Sequence, residues 1–261
     1  MARSTYYHVL KSLDSSNKYE EIEKVIKDIF EQHKARYGYR RITMELRNQG
    51  YIINHKTVLR IMNKLGLYCK IRRKKYNSYR GEIGEAAPNI IKRDFKADKP
   101  YQKWTTDVTE FALLGEKVYL SPILDMYNSE IISYEISMSP NYGMVKNMLM
   151  KAFSKIKKTE GIIFHSDQGW QYRMPDYKQC LKDHGIVQSM SRKGNCLDNS
   201  IMENFFGMLK SDMFYGERFK SIKEFVEKLE EYIYYYNNYR IKGKLKGLSP
   251  IQYRIQSNNV A

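Results

Sequence analysis

The hydrophobic period of this chain changes at Pro100, from a helical repeat of about 3.6 residues to short β-prone runs. A sequence carrying both periods in that order folds as a helical segment followed by a mixed α/β body. In the first part, Ile22, Val25, Ile26, Ile29 and Phe30 fall on one face of a helix over residues 19–33. A second helix over 40–48 turns Ile42 and Leu46 inward and stops at Gly50. A third follows Asn54 as N-cap, buries Val58, Met62 and Leu65, and ends at Gly66.

Beyond Pro100, residues 103–111, 117–124 and 130–137 predict three hairpin-connected strands. A helix over 142–156, a strand over 161–165, a helix over 175–184 and a strand over 186–190 come next. Helices over 198–213 and 222–236 close the pattern. The expected fold class is α/β: a mixed sheet with flanking helices, preceded by a small all-α helix-turn-helix domain.

Lys and Arg outnumber Asp and Glu by 45 to 29, a formal charge of +16, which calls for a polyanionic partner. The excess is concentrated in front: residues 1–98 hold 22 basic and 11 acidic side chains, residues 99–261 hold 23 and 18. Nucleic acid fits this pattern. A membrane surface does not, because no apolar stretch approaches about 18 residues and no signal-peptide pattern follows Met1; the expected location is the cytoplasm. Cys69, Cys180 and Cys196 stand far apart, without the paired spacing of a disulfide framework or a structural zinc site.

Lys56, Arg60 and Lys64 recur every four residues on the third helix and share one side of it. A solvated charged face has this pattern, and so does the last helix of a helix-turn-helix entering a major groove; the charge asymmetry favours the latter. Residues 68–99 read as a basic linker. Its run of Arg72, Arg73, Lys74 and Lys75, followed by Tyr76 and Tyr79, can track phosphates or serve only as a tether.

Three acids stand out after Pro100. Asp107 lies mid-strand in Trp104-Thr-Thr-Asp107, where an unpaired carboxylate is costly to bury. Asp167 ends the fourth strand, at the carboxyl edge where α/β proteins place chemistry. Glu203 sits on a helix whose apolar face is Ile201, Phe205, Met208 and Leu209, and shares a separate stripe with Asn199, Phe206 and Lys210. Converging carboxylates repel unless cations neutralise them. An oxygen-only set suits Mg²⁺ or Mn²⁺, and a pair of ions can serve an in-line phosphodiester displacement. Lys210 would steady a phosphate near the reacting bond. His165 reads as a packed imidazole, the tyrosines at 232–236 as helix packing, and Asn195, Asp198 and Asn199 as a turn and an N-cap.

With these residues assembled, the sequence resembles the second-reading-frame transposases of the third insertion-sequence family, within the DDE transposases and retroviral integrases. The resemblance rests on Trp104-Thr-Thr-Asp107, His165-Ser-Asp-Gln-Gly169 with Tyr172, the stretch from Ser191 to Asn199, Glu203-Asn-Phe-Phe206, Lys210, Tyr235-Tyr-Asn-Asn238, Arg240 and Gly247 to Arg254. Residues 33–67 resemble the helix-turn-helix of the same proteins. The resemblance implies an RNase-H-like catalytic core over 100–261 and a DNA-binding segment over 1–67. It makes Asp107, Asp167 and Glu203 the catalytic, metal-holding acids, and it lines the DNA site with Arg192, Lys193 and Asn199.

The resemblance also implies double-stranded element ends and target DNA as substrates, a homo-oligomer on DNA, and fusion to or complex with an upstream reading-frame protein, whose tail Arg3-Ser-Thr-Tyr-Tyr7 resembles. Two other classes remain open at this point: a nuclease of the same fold that only hydrolyses DNA, and a non-catalytic DNA-binding regulator.

Overall fold

The structure, a computed structural model, describes residues 19–69 and 86–258. The chain divides into two compact units, Met1–Lys70 and Ile71–Ala261. The basic run Arg72 to Lys75 and the stretch from Arg3 to Tyr7 lie outside the described residues.

The first unit packs α1 (Glu20–Gln32), α2 (Tyr39–Asn48) and α3 (His55–Lys64) around Ile26, Ile29, Ile42, Leu46, Val58 and Met62, all buried. Each helix stops where the sequence signals. The Asn54 Oδ1 accepts the Lys56 N–H at 2.9 Å, an N-cap that contributes about 1 kcal/mol. Gly66 takes a left-handed φ of 67° just past the end of α3, where the Leu67 N–H returns to the Met62 carbonyl.

The second unit is a sheet of β1 (Lys103–Thr106), β2 (Thr109–Leu113), β3 (Glu116–Asp125), β4 (Ile131–Ser137), β5 (Ile163–Ser166) and β6 (Val187–Met190). Strands β1 and β2 lie end to end along β3, both antiparallel to it and in one register. On the other side of β3 lies β4, while β5 runs parallel to β1 and β6 parallel to β5. Helices cover both faces. On one, α4 (Tyr142–Lys155) and α5 (Pro175–Asp183) close over Trp104, Ile123 and Phe164. On the other, α6 (Ser200–Leu209) and α7 (Ile222–Asn238) close over Phe111, Val118 and Leu120. The tyrosines of α7 divide: Tyr232 and Tyr236 belong to this core and Tyr234 is exposed.

The first expected strand is in fact two. The common register puts Pro122 of β3 opposite Asp107, and proline has no N–H to return to the facing strand, so the ladder opens between β1 and β2. A last helix, α8 (Pro250–Asn258), was not anticipated from periodicity. Its signal is Ser249-Pro-Ile-Gln252: the Ser249 N–H donates to Gln252 Oε1 at 2.9 Å, the Gln252 N–H reaches Ser249 Oγ at 3.4 Å, and Pro250 takes the first helical position. Arg254 on α8 forks onto Glu130 at 2.7 and 3.1 Å, anchoring the helix to the turn before β4.

The stretch 86–99, read in the sequence as the end of the linker, is seated on the sheet. Ile91 is buried, the Ile90 N–H donates to Ser189 Oγ at 3.0 Å, and the Met190 N–H reaches the Pro88 carbonyl. Among the described residues no helix is long and apolar enough to cross a membrane.

Candidate active site

Asp107 and Asp167 are each the first residue after a strand. The parallel register of β1 and β5 pairs Thr105 with His165, and Asp107 and Asp167 each follow two residues on at the same end of the sheet, where the Asp167 charge acts on Asp107. Thr105 and His165 face the α6 side, where they bond to Asn199 and Asp198. Asp107 therefore stands at a strand end, not mid-strand, because of the break opposite Pro122.

Each aspartate turns one oxygen onto its own loop. Asp107 Oδ1 accepts the Val108 N–H at 2.7 Å and Asp167 Oδ1 accepts the Gly169 N–H at 2.9 Å. A Cβ at Gly169 would crowd this turn, standing 3.0 Å from Asp167 Oδ1 and 2.9 Å from Gln171 Nε2. Burial raises the Asp107 pKa well above the usual carboxylate value; the Asp167 and Glu203 charges raise it further, while the Val108 N–H opposes them. Burial raises Asp167 too, against the Gly169 N–H.

Glu203 is exposed, in the first turn of α6, and its charge reaches Asp107. Among the described residues no three His, Cys, Asp or Glu side chains converge tightly enough to hold an ion. The structure thus joins the two aspartates and leaves Glu203 at their margin. The buried face of α6 is Met202, Phe205, Phe206 and Leu209, so Phe206 belongs to the core and not to the stripe of Glu203. Apolar residues surround nearly the whole helix, and periodicity alone could not select the buried side.

Asn199 does not cap α6 with its side chain. Its Oδ1 accepts the Thr105 hydroxyl at 2.8 Å and its Nδ2 donates to the Thr106 carbonyl at 3.2 Å, which pins the start of α6 to β1. Asn199 is 5% exposed, and its side chain is engaged with β1. Arg192 is likewise engaged: Nε and Nη2 each lie 2.9 Å from the carboxylate of Asp198, whose pKa their hydrogen bonds hold below the usual range. Lys193 is exposed.

His165 is fully buried, and burial lowers its pKa to about 4, so the imidazole is neutral at physiological pH. Nε2 lies 3.0 Å from the Asp198 carbonyl and donates to it; Nδ1 accepts from Ser189 Oγ at 2.9 Å. The packed role expected for this residue is the one observed.

Lys210 opens a π-helical turn, Lys210–Phe214, and is half-buried. Its Nζ donates to the Glu110 carbonyl at 2.8 Å and lies 5.1 Å from the centre of the Phe111 ring; burial lowers its pKa. Even-numbered carbonyls of β1 and β2 point toward β5, which has already ended at this level, so Lys210 caps an open strand edge three residues past Asp107.

In the first unit Lys56, Arg60 and Lys64 are all exposed along α3, but not equivalent. Lys64 Nζ is paired with Glu23 Oε1 at 2.7 Å, and the Arg60 guanidinium stands 5.8 Å from the Tyr19 ring centre.

A helical unit of this kind ahead of a strand-end acidic pair is the arrangement of an integrase-type recombinase. Family models agree: an HTH-like domain matches residues 18–75, and integrase core domain models match residues 97–196 and 203–257. InsK, described as a transposase for insertion sequence element IS150 of Escherichia coli, is 54% identical over 255 residues, covering 98% of this chain and 90% of that protein. Transposase InsF of insertion sequence IS3A from the same organism is 35% identical over 241 residues, covering 92% and 83%. Among solved structures, an intasome of simian T-cell lymphotropic virus aligns with 84% of this chain and 70% of its own, at 15% identity and a TM-score of 0.49. The chain belongs to the IS3 family of insertion-sequence transposases.

Proposed function

We propose that this chain is a DNA transposase, a polynucleotidyl transferase that cleaves phosphodiester bonds at insertion-sequence ends and joins them to target DNA, with Asp107, Asp167 and Glu203 as its catalytic acids. The observation that supports it most is the adjacent pair of Asp107 and Asp167 at the ends of parallel strands, both with raised pKa values. Two neighbouring carboxylates on an otherwise basic protein are a cost to folding and a repellent to DNA unless cations use them. A regulator that only binds DNA has no use for them.

The donor set fits Mg²⁺ or Mn²⁺: carboxylate oxygens, with His165 turned away into its own hydrogen bonds. Asp107, Asp167 and Glu203 would hold the ions, two in number. Bound there, divalent cations neutralise the acids and supply electrostatic stabilisation to the attacking and leaving oxygens. The chain's own part is positional. β1 and β5 hold the two aspartates rigidly, α6 carries Glu203 toward them, and Lys210 offers a cation beside the open edge of β2, able to leave the Glu110 carbonyl for a phosphate. The test is a single-turnover reaction with a pre-cleaved element end, Mg²⁺ and target duplex: joined product supports a transposase, whereas nicked target without joining marks a nuclease that only hydrolyses.

Metal binding should be pH-dependent above the ordinary carboxylate range. Because Asp107 holds its proton above the usual pKa of about 4, an incoming ion must displace that proton. Apparent Mn²⁺ affinity is expected to fall as pH is lowered, beginning above the ordinary carboxylate range. A flat titration there would show that burial of Asp107 does not tune the site.

The first unit supplies binding to duplex DNA through α3, with Lys56 and Arg60 on phosphates. Each lost contact lowers the slope of log affinity against log salt by about 0.9. Lys56→Ala with Arg60→Ala is expected to flatten the slope by nearly 2 on that scale, and Lys64→Ala by less, since Glu23 already neutralises it. Equal effects from all three would assign no consequence to the ion pair. The upstream reading-frame protein, fused or in complex, and a second copy of this chain are the protein partners of the proposed reaction.

A further inference from the structure

The stretch before β1 and the loop before α6 meet on one buried carboxylate. The Asp198 side chain has no exposed surface, and three residues from two separate segments converge on it. Asn89 Nδ2 donates to Oδ2 at 2.9 Å, Arg93 Nε to Oδ1 at 2.8 Å, and Arg192 forks onto both oxygens. Arg93 Nη2 also reaches Asn195 Oδ1 at 3.0 Å. The contact is reinforced beneath: the Ile90 N–H donates to Ser189 Oγ, that hydroxyl bonds His165 Nδ1, and His165 Nε2 holds the Asp198 carbonyl. The next residue, Asn199, is clamped to β1 through Thr105 and Thr106, and α6 begins one residue later.

From this geometry we infer that Arg93 and Asn89 are positioning residues for Glu203, acting through Asp198 and the start of α6. The inference rests on the reading of Glu203 as the third catalytic acid. Its physical basis is leverage. Glu203 lies in the first turn of α6, so a small shift or rotation at Asp198–Asn199 moves its carboxylate relative to Asp107 and Asp167, which are carried by the ends of β1 and β5. The Glu203 charge acts on Asp107, and where its carboxylate stands relative to the two aspartates depends on the setting of α6. A stretch with the composition of a linker thereby becomes part of the device that completes the site.

Arg93 is an exposed residue away from the acids, and Arg93→Ala leaves every proposed ligand in place. In the full-length protein, Arg93→Ala is expected to weaken Mn²⁺ binding, read by calorimetry without DNA, and to lower the single-turnover joining rate at saturating DNA, each by about 10-fold or more, as outer-shell substitutions do. Asn89→Ala, which removes one of the bonds, should act in the same direction and less. Arg93→Lys, which keeps the ion pair without the fork to Asn195, should restore part of both.

Unchanged Mn²⁺ affinity in Arg93→Ala overturns the inference, whether the variant loses thermal stability, marking a purely structural role, or loses DNA affinity with a flatter salt slope, marking a phosphate contact. Asp107→Asn separates the two levels. If it joins DNA normally, the assignment of the acids itself fails; if it is inactive while Arg93→Ala binds Mn²⁺ like the unaltered protein, only the positioning role falls.

Discussion

Asp107→Asn and Asp167→Asn are each expected to lower joining by on the order of 10³-fold or more, while stability in the absence of divalent cations stays level or rises. The two halves of this expectation have one cause. Burial raises both carboxyls and the Asp167 and Glu203 charges raise Asp107 further, so ionising them works against the fold. The sign follows from linkage. A carboxyl whose folded pKa lies above its unfolded value contributes stability at low pH and loses it as pH rises through the folded value. A neutral amide of the same shape removes that loss. Thermal unfolding with a chelator present should therefore show Asp107→Asn melting at or above the unaltered protein near neutral pH, with the difference shrinking on acidification. A variant that is inactive because it has unfolded, or one that retains normal joining in Mg²⁺, would remove Asp107 from the site.

The largest loss of stability is expected from Arg240→Met. Arg240 is 2% exposed, and its Nε lies 2.8 Å from Asp212 Oδ2, which also accepts the Tyr232 hydroxyl at 2.9 Å. This pair ties the second residue after α7 to the π-helical turn that begins with Lys210. Removing only the arginine strands a carboxylate inside the protein, at a cost of about 3–5 kcal/mol. The melting temperature should then fall on the order of 10 °C. Adding Asp212→Leu should recover most of that loss, since replacing both charges avoids the stranded one. Chemical denaturation of the single and double variants measures the pair directly; equal losses in both would show that packing, not the uncompensated charge, is responsible.

Much of this architecture is written locally. Asn54, Gly66 and the spacing of Ile22, Val25, Ile26 and Ile29 define the first unit's helices because caps and amphipathic faces act within a turn or two. The strand containing Phe164 and the acid that ends it were legible for the same reason, as were the packed imidazole of His165 and the boundaries of α4, α5 and α7 to within a residue or two.

What the tertiary structure alone decided involves partners far apart in the chain. Asp107 ends a strand because Pro122 faces it from β3. Arg192 and Asn199 carry no sign in the sequence of their partners, Asp198 for one and β1 for the other. The stretch 86–99 has the composition of a tether, but Asn89 and Arg93 find Asp198 at separations of 109 and 105 residues. α6 is apolar nearly all round, so its sequence permits several buried faces, and only the sheet beneath selects Met202, Phe205, Phe206 and Leu209. Hydrophobic period and capping report on neighbours along the chain. Hydrogen bonds and ion pairs across it form only once the fold has brought their partners together, and at this site those bonds set where the acids stand.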